Sequence, residues 1–410
     1  MSAIRKYLQQ YAEAEIRLLT DLPPFSVDHC LVIPARNESC DFIQRFFDLA
    51  ASYTANCLLI LVVNRPDTQT DNQENLALEQ QALTFFGSAL WQNGNLSLYQ
   101  QHNCYLFLVD RHKAHPIPPK QGVGLARKIA SDMACELYQQ KKLTKQWVYS
   151  TDADAYLPSN YFSSAATTDK NNSALVFSFE HTNKVEPQPT VACWHATQLY
   201  EQALKYFHRA LQWSGSPYAF YTLGSTLAFS IEHYCQARGF PKRAGGEDFY
   251  LLNKLAKLGQ VEFCGNISVK IAARESNRVP FGTGPAVAKI MALDPDRQEY
   301  CYYNAAIYPY LRSLLESIEK MWAALRNGND PLQTLPNILR MPLKQLGIDK
   351  FFTHSQSHCS SLTAFETQFH QWFDAFLTLK LIHALQETTF PPQPLQSAIE
   401  EFQSIQESSL

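Results

Sequence analysis

Short apolar runs alternate with longer stretches of helical spacing through the first 150 residues. After an amphipathic helix expected over residues 3–19, His29-Cys30-Leu31-Val32-Ile33-Pro34 reads as a buried strand ended by proline, and Ser39 to Ala51 carries apolar residues at helical intervals. Cys57 to Val63 is a second apolar strand, followed by a helical segment from 72 to 91 and a third strand from Cys104 to Val109. A proline-rich loop at 115–119 precedes a helix over 123–140 and a strand running from Trp147 into an acidic pair. Strands separated by helices make a parallel sheet, so an α/β fold follows. The pattern continues with a strand at 174–179, a helix at 190–213, a mixed region at 217–231, a helix opening at Glu247 and short strands at 261–271. From 299 onward it turns helical, at 299–326, 362–388 and 394–408, with the polar stretch 353–361 read as surface and loop. A domain change is therefore expected near 295, dividing the chain into 1–27, 28–295 and 296–410.

Open sheets of this kind bind ligands beyond the carboxyl ends of their strands. Asn37, Asp67, Asp110, Asp152 and Asp154 all fall just past such an end. In Ser150-Thr151-Asp152-Ala153-Asp154-Ala155 the two carboxylates stand two residues apart, a spacing that faces one side of an extended strand. A hard divalent cation such as Mg²⁺ takes one or two carboxylates and completes its shell with phosphate oxygens and water, so a nucleotide diphosphate is the natural guest. Asp-Ala-Asp before Leu157-Pro158 is also ordinary turn chemistry. Gly245-Gly246-Glu247-Asp248 places a second acidic pair in the first turn of a helix, where the dipole favours it and where capping alone would explain it.

Composition narrows the class. With 410 residues, 46% hydrophobic, 12% aromatic and 18% charged, the chain has material for a large core and an appended domain and lacks the signature of disorder. Its net charge of −3 supplies no global field for nucleic acid or anionic membrane. Ten scattered cysteines contain no Cys-x-x-Cys and are expected to be reduced thiols. Charges at Arg5, Lys6, Glu13, Glu15 and Arg17 interrupt any signal-peptide core, and no run is long and apolar enough to span a bilayer. A soluble, cytoplasmic protein without transmembrane segment or nucleic-acid partner is expected.

Taken in order, Val32-Ile33-Pro34-Ala35-Arg36-Asn37-Glu38, the Asp-x-Asp at 152–154 and Gly246-Glu247-Asp248 resemble the inverting family-2 glycosyltransferases of the GT-A fold, over roughly residues 28–285. The resemblance implies a Rossmann-like, mostly parallel sheet flanked by helices, here with a helical C-terminal extension. It implies a hexosyltransferase-like enzyme that takes a nucleotide-diphosphate sugar as donor. Asp154 and Asp152 would hold Mg²⁺ or Mn²⁺ and the diphosphate, with Asp152 nearer the ribose. Asp248 would be the general base, and Glu247 beside it would orient the acceptor or cap the helix. Pro34, Arg36, Asn37 and Glu38 would line the donor pocket. Gln121-Gly122-Val123-Gly124-Leu125-Ala126-Arg127 matches the family's Gly-x-x-x-Ala-Arg stretch, making Gly122, Arg127 and Lys120 candidates for nucleotide or phosphate contact. Ala273 to Gly284, with Arg274 and Arg278, looks like a basic lid, arginine being suited to bidentate phosphate recognition.

The chain also departs from the family. Where many members have Asp-Asp-Gly-Ser after the second strand, Val63-Asn64-Arg65-Pro66-Asp67 stands here, with Asp67 the available substitute for base recognition. Gln-x-x-Arg-Trp and the membrane helices of processive synthases are absent, so a non-processive enzyme is expected. His181 and His195 are secondary acceptor-side candidates. The acceptor, whether saccharide, lipid-linked or small molecule, is not named by the sequence. A sugar-phosphate nucleotidyltransferase is the nearest alternative, opposed by the lack of a glycine-rich loop after the first strand. A non-catalytic binding module of the same fold is the third reading.

Overall fold

The computed structural model describes residues 2–408 apart from 167, 168, 170, 277, 279, 281 and 294–298. The chain forms two compact units, Met1–Trp194 with Tyr221–Ala286, and His195–Phe220 with Val287–Leu410. The helix expected at 190–213 therefore groups for most of its length with the C-terminal helices. Residues 294–298, which contain the expected boundary, lie outside the described residues.

The first unit is built on a ten-stranded sheet. In chain order its strands are β1 (His29–Ala35), β2 (Cys57–Asn64), β3 (Trp91–Asn93), β4 (Leu96–Gln101), β5 (Cys104–Arg111), β6 (Trp147–Ser150), β7 (Ala155–Tyr156), β8 (Asn172–Thr182), β9 (Leu227–Ser230) and β10 (Gln260–Ala272). They lie in the order β3-β4-β5-β2-β1-β6-β9-β8-β10-β7. β1 pairs parallel with β2 and β6, β2 with β5, and β8 with β10, while β4, β7 and β9 run the other way. Every residue of β1 and β2 is buried, as near-continuous apolar runs in the middle of a parallel sheet should be. The result is a mixed α/β unit with a mostly parallel sheet. The segment expected to be helical to 91 ends as a helix at Phe86, the antiparallel hairpin β3–β4 begins at Trp91, and the mixed region at 217–231 supplies β9.

Helix α1 (Ala3–Gln10) precedes these strands, α2 (Asp41–Ala50), α3 (Gln73–Phe86), α4 (Gly122–Gln139), α5 (Val191–Trp213), α6 (Ile231–Gln236) and α7 (Glu247–Leu255) lie between them, and α8 (Thr283–Met291) follows. The helix expected over 3–19 is α1 followed by a 3₁₀ turn, Ala14–Leu18. Fully buried Asp132 of α4 fixes this N-terminal segment: it accepts from Tyr7 Oη at 2.5 Å, Tyr234 Oη at 2.9 Å, Lys128 Nζ at 2.8 Å and the Glu13 amide at 2.8 Å. So many donors satisfy a charge that burial would otherwise make costly.

The second unit is helical: α9 (Ile307–Glu316), α10 (Ile318–Arg326), α11 (Asn337–Gln345), α12 (Ile348–His358), α13 (Leu362–Trp372), α14 (Ala375–Thr388) and α15 (Leu395–Glu407), with a two-residue ladder between Cys301–Tyr302 and Gln393–Pro394. Its core gathers Tyr206, Tyr308, Leu311, Met321, Phe365 and Phe402. The segment expected at 362–388 breaks at Asp374, whose carboxylate caps α14 by accepting from the Phe376 and Leu377 amides. The stretch 353–361 is corrected from loop to helix as far as His358, because Ile348, Phe351, Phe352 and Ser355 form the buried stripe of α12. Among the described residues no helix is long and apolar enough to cross a membrane. All ten cysteines are free.

Candidate active site

β1, β6, β8 and β10 point the same way, so their carboxyl ends share one edge of the sheet. β6 stops at Ser150, and Asp152 to Asp154 form a turn beyond it, closed by the Ala155 amide on Asp152 O at 3.1 Å. The expectation that the pair faces one side of an extended strand is corrected accordingly. Two further bonds hold the turn: Arg45 of α2 donates to Ala153 O at 2.5 Å, and the Ala272 amide at the end of β10 donates to Asp154 O at 3.0 Å. The Arg45 guanidinium also lies over the Tyr156 ring, 4.3 Å from its centroid. The side chains of Asp152 and Asp154 are 35% and 19% exposed.

Arg127 lies beneath this turn and is 2% exposed. Its Nη2 donates to Asp152 Oδ1 at 2.5 Å, its Nε to Glu247 Oε1 at 2.9 Å, and its Nη1 to Ser150 Oγ at 2.8 Å and Thr151 O at 3.1 Å. A Cβ on Gly224 would come within 2.4 Å of Nη2, so any other residue there would displace the guanidinium from this position. With four of its donors committed inside the protein, Arg127 is placed to join the two acidic pairs. This departs from the phosphate contact expected of it.

Glu247 and Asp248 open α7 after Gly246, whose φ of 68° is a left-handed conformation suited to glycine. The loop before it packs against the first turn of α4. A Cβ on Gly124 would stand 2.4 Å from Pro241 O and 2.7 Å from Arg243 N, and one on Gly122 would stand 2.7 Å from Ala244 Cα. The expected ligand contact of Gly122 thus gives way to a backbone-packing role. Glu247 is 4% exposed and paired with Arg127, while Asp248 is half-buried and accepts from the Phe249 amide at 2.7 Å. Burial, then the adjacent Glu247, push the Asp248 carboxyl up to about 7, against the opposing pull of the Phe249 N–H and Arg127.

At the end of β1, Asn37 adopts a φ of 53° and its amide donates to Asn75 Oδ1 at 2.8 Å. Buried Asn64 and Asn75 continue the network through Ala35 O and Asn64 O. Glu38 receives both Nη atoms of Arg274, at 2.8 and 2.7 Å, and Nη1 of Arg278. Arg274 Nη2 also lies 2.7 Å from Asp154 Oδ2, which brings the basic segment after β10 to the Asp-x-Asp turn. Arg36 joins through mutual bonds with Arg278: its Nη1 reaches Arg278 O at 3.4 Å and its backbone carbonyl accepts from Arg278 Nη1 at 2.8 Å. Asn277, Val279 and Phe281 of the expected lid lie outside the described residues.

Pro34 is buried within β1 opposite Val62, where it serves the sheet. Asp67 is exposed on the loop after β2, its amide bonded to Ile117 O at 3.0 Å, and Lys120 is exposed just before α4. Asp110 caps its own turn by accepting from the His112 and Lys113 amides. His181 is buried on β8 with its ring edge-on to Phe179, and His195 is exposed on α5. Sequence reasoning missed Arg45, Asn64, Asn75 and Gly224. Only the glycine carried a signal, as a conformational break before β9.

Solved structures that resemble the chain include the following two. One is S. aureus TarS 1-349 in complex with UDP-GlcNAc, 12% identical, covering 83% of this chain and 90% of that one at a TM-score of 0.38. The other is the mannosyltransferase PcManGT from Pyrobaculum calidifontis in complex with GDP-Man and Mn2+, 16% identical, covering 94% and 95% at a TM-score of 0.35. No family model and no curated protein matches the chain.

What the site can do follows from its own residues. Among the described residues no group of three or more His, Cys, Asp or Glu side chains could hold a metal unaided. Asp154 and Asp152, partly exposed and each with one oxygen on an arginine, fit a cation that brings phosphate oxygens with it, since Mg²⁺ commonly binds through one or two carboxylates plus substrate phosphates.

Proposed function

We propose that the chain is a metal-dependent, inverting glycosyltransferase of the family-2, GT-A type, which moves a sugar from a nucleotide-diphosphate donor to an acceptor hydroxyl. The observation that carries this reading is the pairing of two acidic stations through one buried arginine. Asp152 and Asp154 lie on one side of Arg127 and Glu247, with Asp248 next in the chain, on the other.

Asp248 is the general base. A sugar hydroxyl is a poor nucleophile until it loses its proton, and a carboxylate with its pKa near 7 combines adequate basicity with a large ionised fraction at neutral pH. The hydroxyl oxygen forms its bond to the anomeric carbon as its proton passes to Asp248. The bond from that carbon to the diphosphate oxygen breaks on the opposite face, and the electron pair leaves with the diphosphate, inverting the centre. Arg274 and Arg278 are the cationic side chains that face the developing charge. Mg²⁺ or Mn²⁺, held by Asp154 with Asp152, would neutralise the same diphosphate. Glu247, held by Arg127, sets the field around the base.

Transfer from a panel of nucleotide sugars to candidate acceptors, with Mg²⁺ or Mn²⁺, tests the reading. Asp248→Asn should leave donor binding almost unchanged while turnover falls by about 10²–10⁴, the range for loss of a general base. Because the base must be ionised, wild-type kcat/KM should fall as pH drops through about 7. Retention of most activity by Asp248→Asn, or loss of donor binding as complete as in Asp154→Ala, would refute the assignment.

A further inference from the structure

Among the described residues, the arginines beyond β1 and β10 outnumber the carboxylates paired with them. Arg36, Arg274 and Arg278 lie together, and the carboxylates that pair with them are Glu38 and Asp154. Arg36 turns to neutral partners, with Nη2 on Gln69 Oε1 at 3.0 Å. Desolvation, then the proximity of Arg278, lower its pKa. Glu38 carries most of the neutralisation, accepting both Nη atoms of Arg274 and, on the same Oε1, Nη1 of Arg278. A planar oxyanion clasped by one guanidinium fork and a donor from a second is the arrangement arginines also offer to phosphate. Exposure is uneven: the Glu38 side chain is 11% exposed, and those of Arg274 and Arg278 are 33% and 24%. The carboxylate sits inside, and the cations keep an accessible side.

We propose that Glu38 is an internal stand-in for the ligand's phosphate, holding Arg274 and Arg278 in place before a nucleotide binds and yielding them to the diphosphate of the bound nucleotide. The inference rests on the nucleotide-diphosphate reading above. It sets the sign of Glu38's effect on binding. A brace needed to aim the arginines would weaken anion binding when neutralised. A competitor for the same donors strengthens it, because the arginines then keep their charge with one partner fewer. Competition also returns the arginines to Glu38 as the diphosphate leaves, which favours release of product.

Calorimetric titration of the full chain with inorganic diphosphate, and with UDP, GDP and ADP, decides between these signs. Titrations run with chelator and again with Mg²⁺. Glu38→Gln, which keeps the shape and removes the charge, should tighten binding by about two- to tenfold, the scale of a partly exposed ion pair released. It should also steepen the weakening of binding by salt. Glu38→Asp keeps the charge on a shorter arm and should tighten binding less, and it decides the matter if Glu38→Gln fails to fold. Under saturating donor, Glu38→Gln should lower kcat through slower nucleotide release. Unchanged or weaker binding in these variants, with wild type binding a nucleotide normally, overturns the stand-in role and leaves the donor reading intact. Failure of wild type to bind any of the three nucleotides with Mg²⁺ overturns both.

Discussion

Arg127 commits four of its five N–H groups to Asp152, Glu247, Ser150 and Thr151 O, which fixes it as a bridge inside the protein. Its charge is held in the protonated form despite burial, because Asp152 and Glu247 outweigh the desolvation penalty. Arg127→Met strands the buried Glu247 carboxylate, while Asp152, a third exposed, keeps its water, so it should destabilise the protein by about 3–5 kcal/mol, the usual cost of breaking a buried pair from one side. Arg127→Lys should recover part of that loss but not the bridge, since a lysine ammonium cannot fork between two carboxylates. Denaturant unfolding of the two variants checks the ranking, and equal stability of Arg127→Met and wild type would remove the bridge. The acidic residues were legible in the sequence because carboxylates at a strand end and at a helix start have few bland explanations together. That Arg127 joins them was not, because the three come from distant segments of chain and only the folded sheet brings them near.

The decisive contact between elements is the one between the first turn of α4 and the loop that leads into α7. Gly124 makes it possible: its amide donates to Arg243 O at 2.9 Å, and the space a Cβ would need is filled by backbone of Pro241 and Arg243. Gly124→Ala should therefore force the loop outward and cost about 1–3 kcal/mol, as overpacking typically does. The same displacement should lower turnover, because the loop carries Glu247 and Asp248. A thermal melt and a transfer assay on this variant check both, and a fully stable, fully active Gly124→Ala would show that the loop is free to shift. The periodic segments, α4, α5 and α7 and the apolar strands β1, β2 and β5, were legible because each has one strong period. The hairpin β3–β4 was not, although Asn93-Gly94 marks a turn, because its first strand is only three residues long and carries no period of its own. α12 was hidden by polar residues on its exposed side, with a four-residue buried stripe as the only trace.

At the scale of the molecule, the acidic turn after β6, the arginines after β10, Glu38 after β1 and the start of α7 are scattered over more than 200 residues of sequence and gathered at one edge of one sheet. A ligand that bridges them must therefore protect separated segments together, while a ligand of any single loop would protect one. We expect hydrogen exchange in the presence of Mg²⁺ and the cognate nucleoside diphosphate to slow at residues 36–38, 150–156 and 272–276 in a single saturable step. At 100 times its dissociation constant such a ligand adds about 2.7 kcal/mol to the stability of the folded state, enough to read in a thermal melt. Asp154→Ala should abolish the Mg²⁺-dependent part of that protection in all three segments, including those it does not touch, because the diphosphate is then held by the arginines alone. Protection of the acidic turn without the arginine segment, or survival of the metal-dependent part in Asp154→Ala, would mean that the edge does not act as one site.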